Sequence, residues 1–205
     1  MIDLEIEDPA WTTALADAEV LARAAAEATL QLLPRKAGEG DHEVVEGAQS
    51  PRLGTGCPAP PPSRRVPRRS ASPVVFGSGE ELAGVSLLLT NDATIRDLNV
   101  RFRQQDKPTN VLSFPAPQNP DRFLGDVALA YGVCAREAQE QGKPLAHHLQ
   151  HLVAHGVLHL LGYDHMSDAE ADEMEGLERV VLAGLGVPDP YLAGEGDNDR
   201  PRPIV

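Results

Sequence analysis

Strands interspersed with helices predict an α+β fold: a small mixed β-sheet packed with several α-helices. Three observations carry that prediction. Residues 2–6 alternate apolar and acidic side chains, the period of a half-buried strand. Residues 82–89 form a short apolar run suited to a central strand. Between and after such runs lie longer stretches in which apolar residues recur every three to four positions, the period of an amphipathic helix. One of these helices carries His155 and His159 and is the expected seat of a metal site.

The chain has 205 residues, enough for one domain with a sizeable core, and 41% of them are hydrophobic. No apolar run is long enough to span a bilayer, and residues 1–5 have neither a basic nor an apolar leader region. Two cysteines, Cys57 and Cys134, do not make a disulfide framework; free thiols in a reducing cytosol are the expectation. The net charge of −13 argues against non-specific nucleic-acid binding. The charge is uneven, however. Acids crowd residues 168–178 and 189–199, whereas bases gather at 64–69 and at Arg96, Arg101, Arg103 and Lys107. The local field at a site therefore matters more than the sum.

Residues 2–6 should form an edge strand. Thr12 or Thr13 is placed to cap an alanine-rich helix with Leu15, Val20, Leu21, Leu30 and Leu33 among its apolar positions, ending at Pro34. The catalytic domain is thus expected to begin with residues 1–33. Residues 34–73 are dominated by Gly, Pro, Ser and Arg and cannot bury enough apolar surface to order themselves. They are predicted to be a flexible insertion; the competing reading is a basic arm for RNA. The remainder of the domain is expected over residues 74–191, with a disordered tail at 192–205.

After the strand at 82–89, Thr90, Asn91 or Asp92 caps a helix through about Phe102, with Ile95, Leu98 and Phe102 as its core stripe and Arg96, Asn99 and Arg103 on one flank. Pro108 and Asn110 make a turn into a strand at 111–114, stopped by Pro115. Residues 123–130 form another strand, and 131–141 a helix ending at Gly142. Pro144 opens the next helix, which runs to about Leu161 and buries Leu149, Leu152, Val153, Gly156 and Leu160. A last helix starts near Ser167, with Glu170 as its capping-box partner, and ends around 184–186.

The chemistry is concentrated in residues 155–165. His155 and His159 are one helical turn apart and share a face. Gly162 can end the helix in a left-handed conformation, letting the chain return with His165. Three neutral imidazoles on one ion leave a fourth position open, the layout of a catalytic zinc site. The spacing is that of metzincin peptidases, but Gly156 stands where they have a catalytic glutamate, so the general base of a zinc peptidase is missing. A guanidinium matches phosphate oxygens, and Arg103, before the Pro-Thr-Asn turn, is the candidate; a solvated surface arginine is the alternative. Asp164 is a candidate to orient a ligand or handle a proton, with a plain turn role equally open. His151 falls one turn before His155, beside the ligands rather than among them. His147 and His148 are read as surface residues, and His42 falls in the 34–73 segment.

These residues resemble the signature of the YbeY family, bacterial metal-dependent endoribonucleases of ribosomal RNA maturation. The resemblance is carried by His155-Gly-Val-Leu-His159-Leu-Leu-Gly-Tyr-Asp-His165, Leu98-Asn99, Arg103, the run from Asp106 to Pro115, Leu124-Gly125-Asp126 and Asp189-Pro190-Tyr191. It implies one Zn²⁺ held by His155, His159 and His165, Arg103 in the active cleft, and single-stranded RNA as substrate. It further implies action at 16S rRNA 3′ ends and in ribosome quality control, in the cytoplasm. The low net charge suggests that a ribosomal partner on the 30S subunit guides binding. Two departures stand out: the long 34–73 segment, and Gln104-Gln105 where the family often has a glycine-containing turn. The competing readings are a zinc hydrolase of another bond and a ribosome-assembly factor whose metal is mainly structural.

Overall fold

The structure, a computed structural model, describes residues 1–32, 83–117 and 119–192. Among them run β1 (Ile2–Ile6), α1 (Ala10–Ala14), α2 (Ala18–Leu32), β2 (Gly84–Thr90), α3 (Asp92–Arg103), β3 (Val111–Pro115), β4 (Phe123–Ala130), α4 (Tyr131–Glu140), α5 (Leu145–Leu160) and α6 (Asp168–Gly184). The expected 34–73 insertion, with His42 and Cys57, lies outside the described residues, as do the resumption of order near Val74 and the 193–205 part of the expected tail.

The fold is α+β. The sheet is mixed, with order β1-β2-β4-β3; β1 and β4 pair parallel to β2, and β3 pairs antiparallel to β4. Alternation along the strands supplies two faces. Val85, Leu87, Leu89, Val127 and Leu129 point to one side, where α2 and α5 pack over them. Ala128, Ala130 and Leu112 point to the other, against Ile95 of α3 and Val133 of α4. α5 therefore lies in the larger core and presents one side to the sheet and another to α6. No helix among the described residues is long and apolar enough to cross a membrane.

Several local expectations hold, and others are corrected. Asn91 caps α3, its side chain accepting from the Thr94 N–H, and Ser167 and Glu170 form a full capping box on α6. Thr12 and Thr13 do not cap α2. They lie inside the short α1, and their hydroxyls donate to the Pro9 carbonyl. The core face of α2 is built of Ala18, Ala22, Ala25, Ala26 and Leu30, while Val20 is exposed. Small side chains bring α2 close to α5, and Trp11 fills the end of that layer, donating its indole N–H to the Thr90 carbonyl over 3.1 Å. On α3 the buried stripe is rotated: Asn99 is buried and donates to the Lys107 carbonyl over 2.7 Å, whereas Phe102 is 57% exposed. Pro144 is the residue before the first turn of α5, not the first in it. Tyr191, near the end of the described residues, is docked on α6.

Candidate metal centre

The helical turn of α5 sets His155 and His159 on one face with ring centroids 4.6 Å apart. Gly162 follows at φ +94, a left-handed value that an L side chain rarely adopts, and the Tyr163 N–H donates back to the Leu158 carbonyl over 3.1 Å. That reversal returns His165 to within 5.6 Å of His155 and 5.1 Å of His159, ring centre to ring centre. One nitrogen from each of the three lies within 4.8 Å of the others. His155 and His159 are half-buried and His165 is exposed, so the cluster opens to solvent on the His165 side.

The hydrogen bonds fix which ring nitrogens are free. The Tyr163 carbonyl can only accept, so His159 donates to it through Nδ1, over 3.0 Å. The Glu178 carboxylate likewise accepts from His155 Nδ1, over 2.7 Å. In the neutral rings both Nε2 atoms carry a lone pair, and they face each other across 3.1 Å. Burial first, then the neighbouring His155 and His165, push the His159 pKa down to about 4, so no proton on His159 bridges the gap at neutral pH. In the neutral rings, two converging lone pairs are the donor set that suits a cation, and His165 adds a third imidazole. The residues present therefore fit a metal ion, and each of two ligands has its other ring nitrogen held by an oxygen.

Glu178 is the residue the sequence reading missed. It sits in the acidic run at 168–178, yet it occupies the buried stripe of α6 with Met174, Val181 and Leu182. A glutamate on an apolar stripe is the signal that could have found it. It has no exposed surface. Its second oxygen accepts from His151 Nε2 over 2.8 Å and from the Tyr191 hydroxyl. Burial alone would raise its pKa, but the bonds from His151 and His155 outweigh that and hold it at about 2. His151 thus lies beside the cluster, as expected. His148 is a correction: it is buried, not on the surface, and its Nε2 bonds the Glu137 carboxylate over 3.0 Å.

Gly156 fills the place of a peptidase glutamate. A Cβ there would lie 2.6 Å from Val127 Cγ1 on β4 and 3.2 Å from Ser113 Oγ on β3. A side chain at 156 is driven into the sheet and away from the histidines. Asp164 accepts from the backbone N–H of His165 over 2.8 Å, within the turn. Arg103 is exposed at the end of α3 and makes no hydrogen bond or ion pair to the described residues.

An α+β fold with three converging imidazoles, and a glycine excluding a peptidase base, defines a class of proteins with a histidine site able to hold a metal ion. Within that class the chain belongs to the YbeY endoribonuclease family: the family's sequence profile, described as Endoribonuclease YbeY, matches residues 75–186. A relative from Rhodopseudomonas palustris strain BisB5 is 54% identical over 130 residues, spanning 58% of this chain and 64% of its own length. One from strain HaA2 is 51% identical over 148 residues, 66% of this chain and 72% of the relative. One from Bradyrhizobium sp. strain BTAi1 is 59% identical over 121 residues, 55% and 72%. All three carry the name Endoribonuclease YbeY. The solution structure of a Thermotoga maritima protein, TM1509, is similar at a TM-score of 0.45 and 18% identity, covering 96% of this chain and all of that one, too distant to bear on the site.

Proposed function

We propose that this chain is a zinc-dependent endoribonuclease that cuts single-stranded RNA, acting in 16S rRNA 3′-end maturation and ribosome quality control in the cytoplasm. The observation that carries the reading is the convergence of His155, His159 and His165 within 4.8 Å, in a chain of a family whose relatives are named endoribonucleases. These three imidazoles would hold one zinc ion. Bound zinc supplies a Lewis acid that brings the pKa of a coordinated water to about 7.

The chain's own residues do the rest. Glu178 and the Tyr163 carbonyl keep the Nδ1 protons of His155 and His159, leaving Nε2 to the ion. With Gly156 facing the sheet, no carboxylate from that position serves as base. Arg103 is assigned to the developing charge on the phosphate, for which its planar fork is suited. Asp164 is assigned to the turn that presents His165, where it accepts from the His165 backbone N–H, and its carboxylate would be available to handle a proton. With a net charge of −13, the chain gains little from non-specific attraction to RNA, which supports guidance by the 30S subunit or its proteins.

The test is cleavage of a defined 16S rRNA precursor by wild type and His159→Ala after metal analysis. Stoichiometric zinc, zinc-dependent cutting, and no cutting by a folded His159→Ala protein are expected. Full activity in that variant overturns the site assignment. Co-purification with 30S subunits tests the partner.

A further inference from the structure

Glu178 is a fully buried carboxylate on a helix stripe that an apolar residue would complete at no desolvation cost. Its two oxygens are divided. Oε1 takes the Nδ1 proton of His155 over 2.7 Å. Oε2 takes the Nε2 proton of His151 over 2.8 Å and the hydroxyl proton of Tyr191. Tyr191 is in turn held from outside. The Arg179 guanidinium lies 4.8 Å over its ring and its Nε reaches Asp189 over 3.2 Å. The Lys143 ammonium donates to the Pro190 carbonyl. A chain of direct contacts therefore runs from the segment at 189–191 to one imidazole of the cluster.

We propose that Glu178 is the positioning residue of the metal centre, and that the docked 189–191 segment, through Tyr191, sets the site's affinity for its ion. The carboxylate locks His155 in the Nδ1–H tautomer, which aims Nε2 at His159. His151 and Tyr191 occupy the other oxygen and keep the carboxylate from rotating away. The inference rests on reading the cluster as a metal site. Losing such a partner of a metal ligand costs about 10–100-fold in metal affinity.

The experiment has two readouts. Long-range proton–nitrogen NMR of metal-free wild type reports which His155 ring nitrogen is protonated; a protonated Nδ1 is expected. Zn²⁺ affinity by chelator competition is then measured for wild type, Glu178→Gln and Tyr191→Phe, with folding checked by circular dichroism. Glu178→Gln should bind zinc about 10–100-fold more weakly and show mixed His155 tautomers. Tyr191→Phe, which keeps the ring stacked under Arg179, should shift both readouts the same way by less. A wild-type His155 with a bare Nδ1 overturns the proposal even if Glu178→Gln fails to fold, as does unchanged zinc affinity in a folded Glu178→Gln. Unchanged readouts in Tyr191→Phe overturn the role of the segment. A wild type that binds no zinc defeats the metal reading instead, while the tautomer still judges the grip of Glu178 on His155.

Discussion

The Nε2 atoms of His155 and His159 face each other across 3.1 Å, each with its Nδ1 proton already committed to an oxygen. Nothing in the neutral rings lets one donate to the other, so the pair gains most from a cation. Zinc should therefore stabilise the fold by mass action, by about 4 kcal/mol at a thousand times its dissociation constant. The larger core, from Trp11 to Leu161, is packed without the cluster. Chelation should accordingly lower the melting temperature and leave the far-ultraviolet spectrum folded. Unfolding on chelation would instead point to a structural metal.

Gly156 is held by the sheet. Alanine there sets a methyl 2.6 Å from Val127 Cγ1. Overpacking of that kind costs about 1–3 kcal/mol, which alanine's helix advantage of about 1 kcal/mol offsets only in part. Urea titration should give a lower midpoint for Gly156→Ala. In a Val127→Ala background, where the colliding methyl is gone, the same substitution should cost less.

Gln104 ends α3 in the left-handed region, at φ 56 and ψ 29. This is where the Gln104-Gln105 pair replaces the glycine-containing turn. Glycine would relieve about 1–2 kcal/mol of crowding while losing about 0.5–1 kcal/mol to its freer unfolded state. Gln104→Gly should raise stability by up to about 1.5 kcal/mol, and Gln104→Ala, which keeps the Cβ, should gain nothing comparable. Denaturant midpoints of the two variants decide it.

Glu137 carries a pH dependence. Burial would raise its pKa, but hydrogen bonds from His148 and Asn110 and the charges of His148 and Arg136 bring it below the ordinary value of 4.5. A depressed carboxylate stabilises the fold above its unfolded pKa, and that contribution is lost as pH falls through the folded value. Wild type should exceed Glu137→Gln in stability at pH 7, and the gap should close below pH ~4. A gap that stays constant down to pH 3 would remove the charge from the account.

Regular elements were legible because their signals are local. β1, the capping box of α6 and the turn at Gly162 follow from alternation, a Ser/Glu pair and a glycine. The faces were less so. Periodicity put Ile95 inside, but tertiary packing alone decides that Asn99 rather than Phe102 shares its side. The alanine face of α2 was hidden because small residues contrast weakly with their neighbours. The three histidines were legible from spacing. Glu178 left only a faint trace, one glutamate on the apolar stripe of α6, and the folding of α6 onto α5 is what sets it apart from the acidic residues around it.

Arg103 gives the sharpest separation of chemistry from structure. It is exposed, closes the last turn of α3 and makes no hydrogen bond or ion pair to the described residues. Its removal should therefore change stability by less than about 0.5 kcal/mol, as for surface positions generally. It is not among the hydrogen-bond partners of His155 or His159, so zinc affinity should also be unchanged. If its guanidinium meets the phosphate as charge develops, Arg103→Ala should lower the cleavage rate by about 10²–10³-fold. Arg103→Lys should recover little, because an ammonium keeps the charge and loses the fork. Single-turnover cleavage of a labelled RNA by zinc-loaded variants reads this directly. A rate within twofold of wild type for Arg103→Ala would leave the arginine as a solvated surface residue. The phosphate would then have to be met by another group, with Lys107, exposed in the loop after α3, the next cation to substitute.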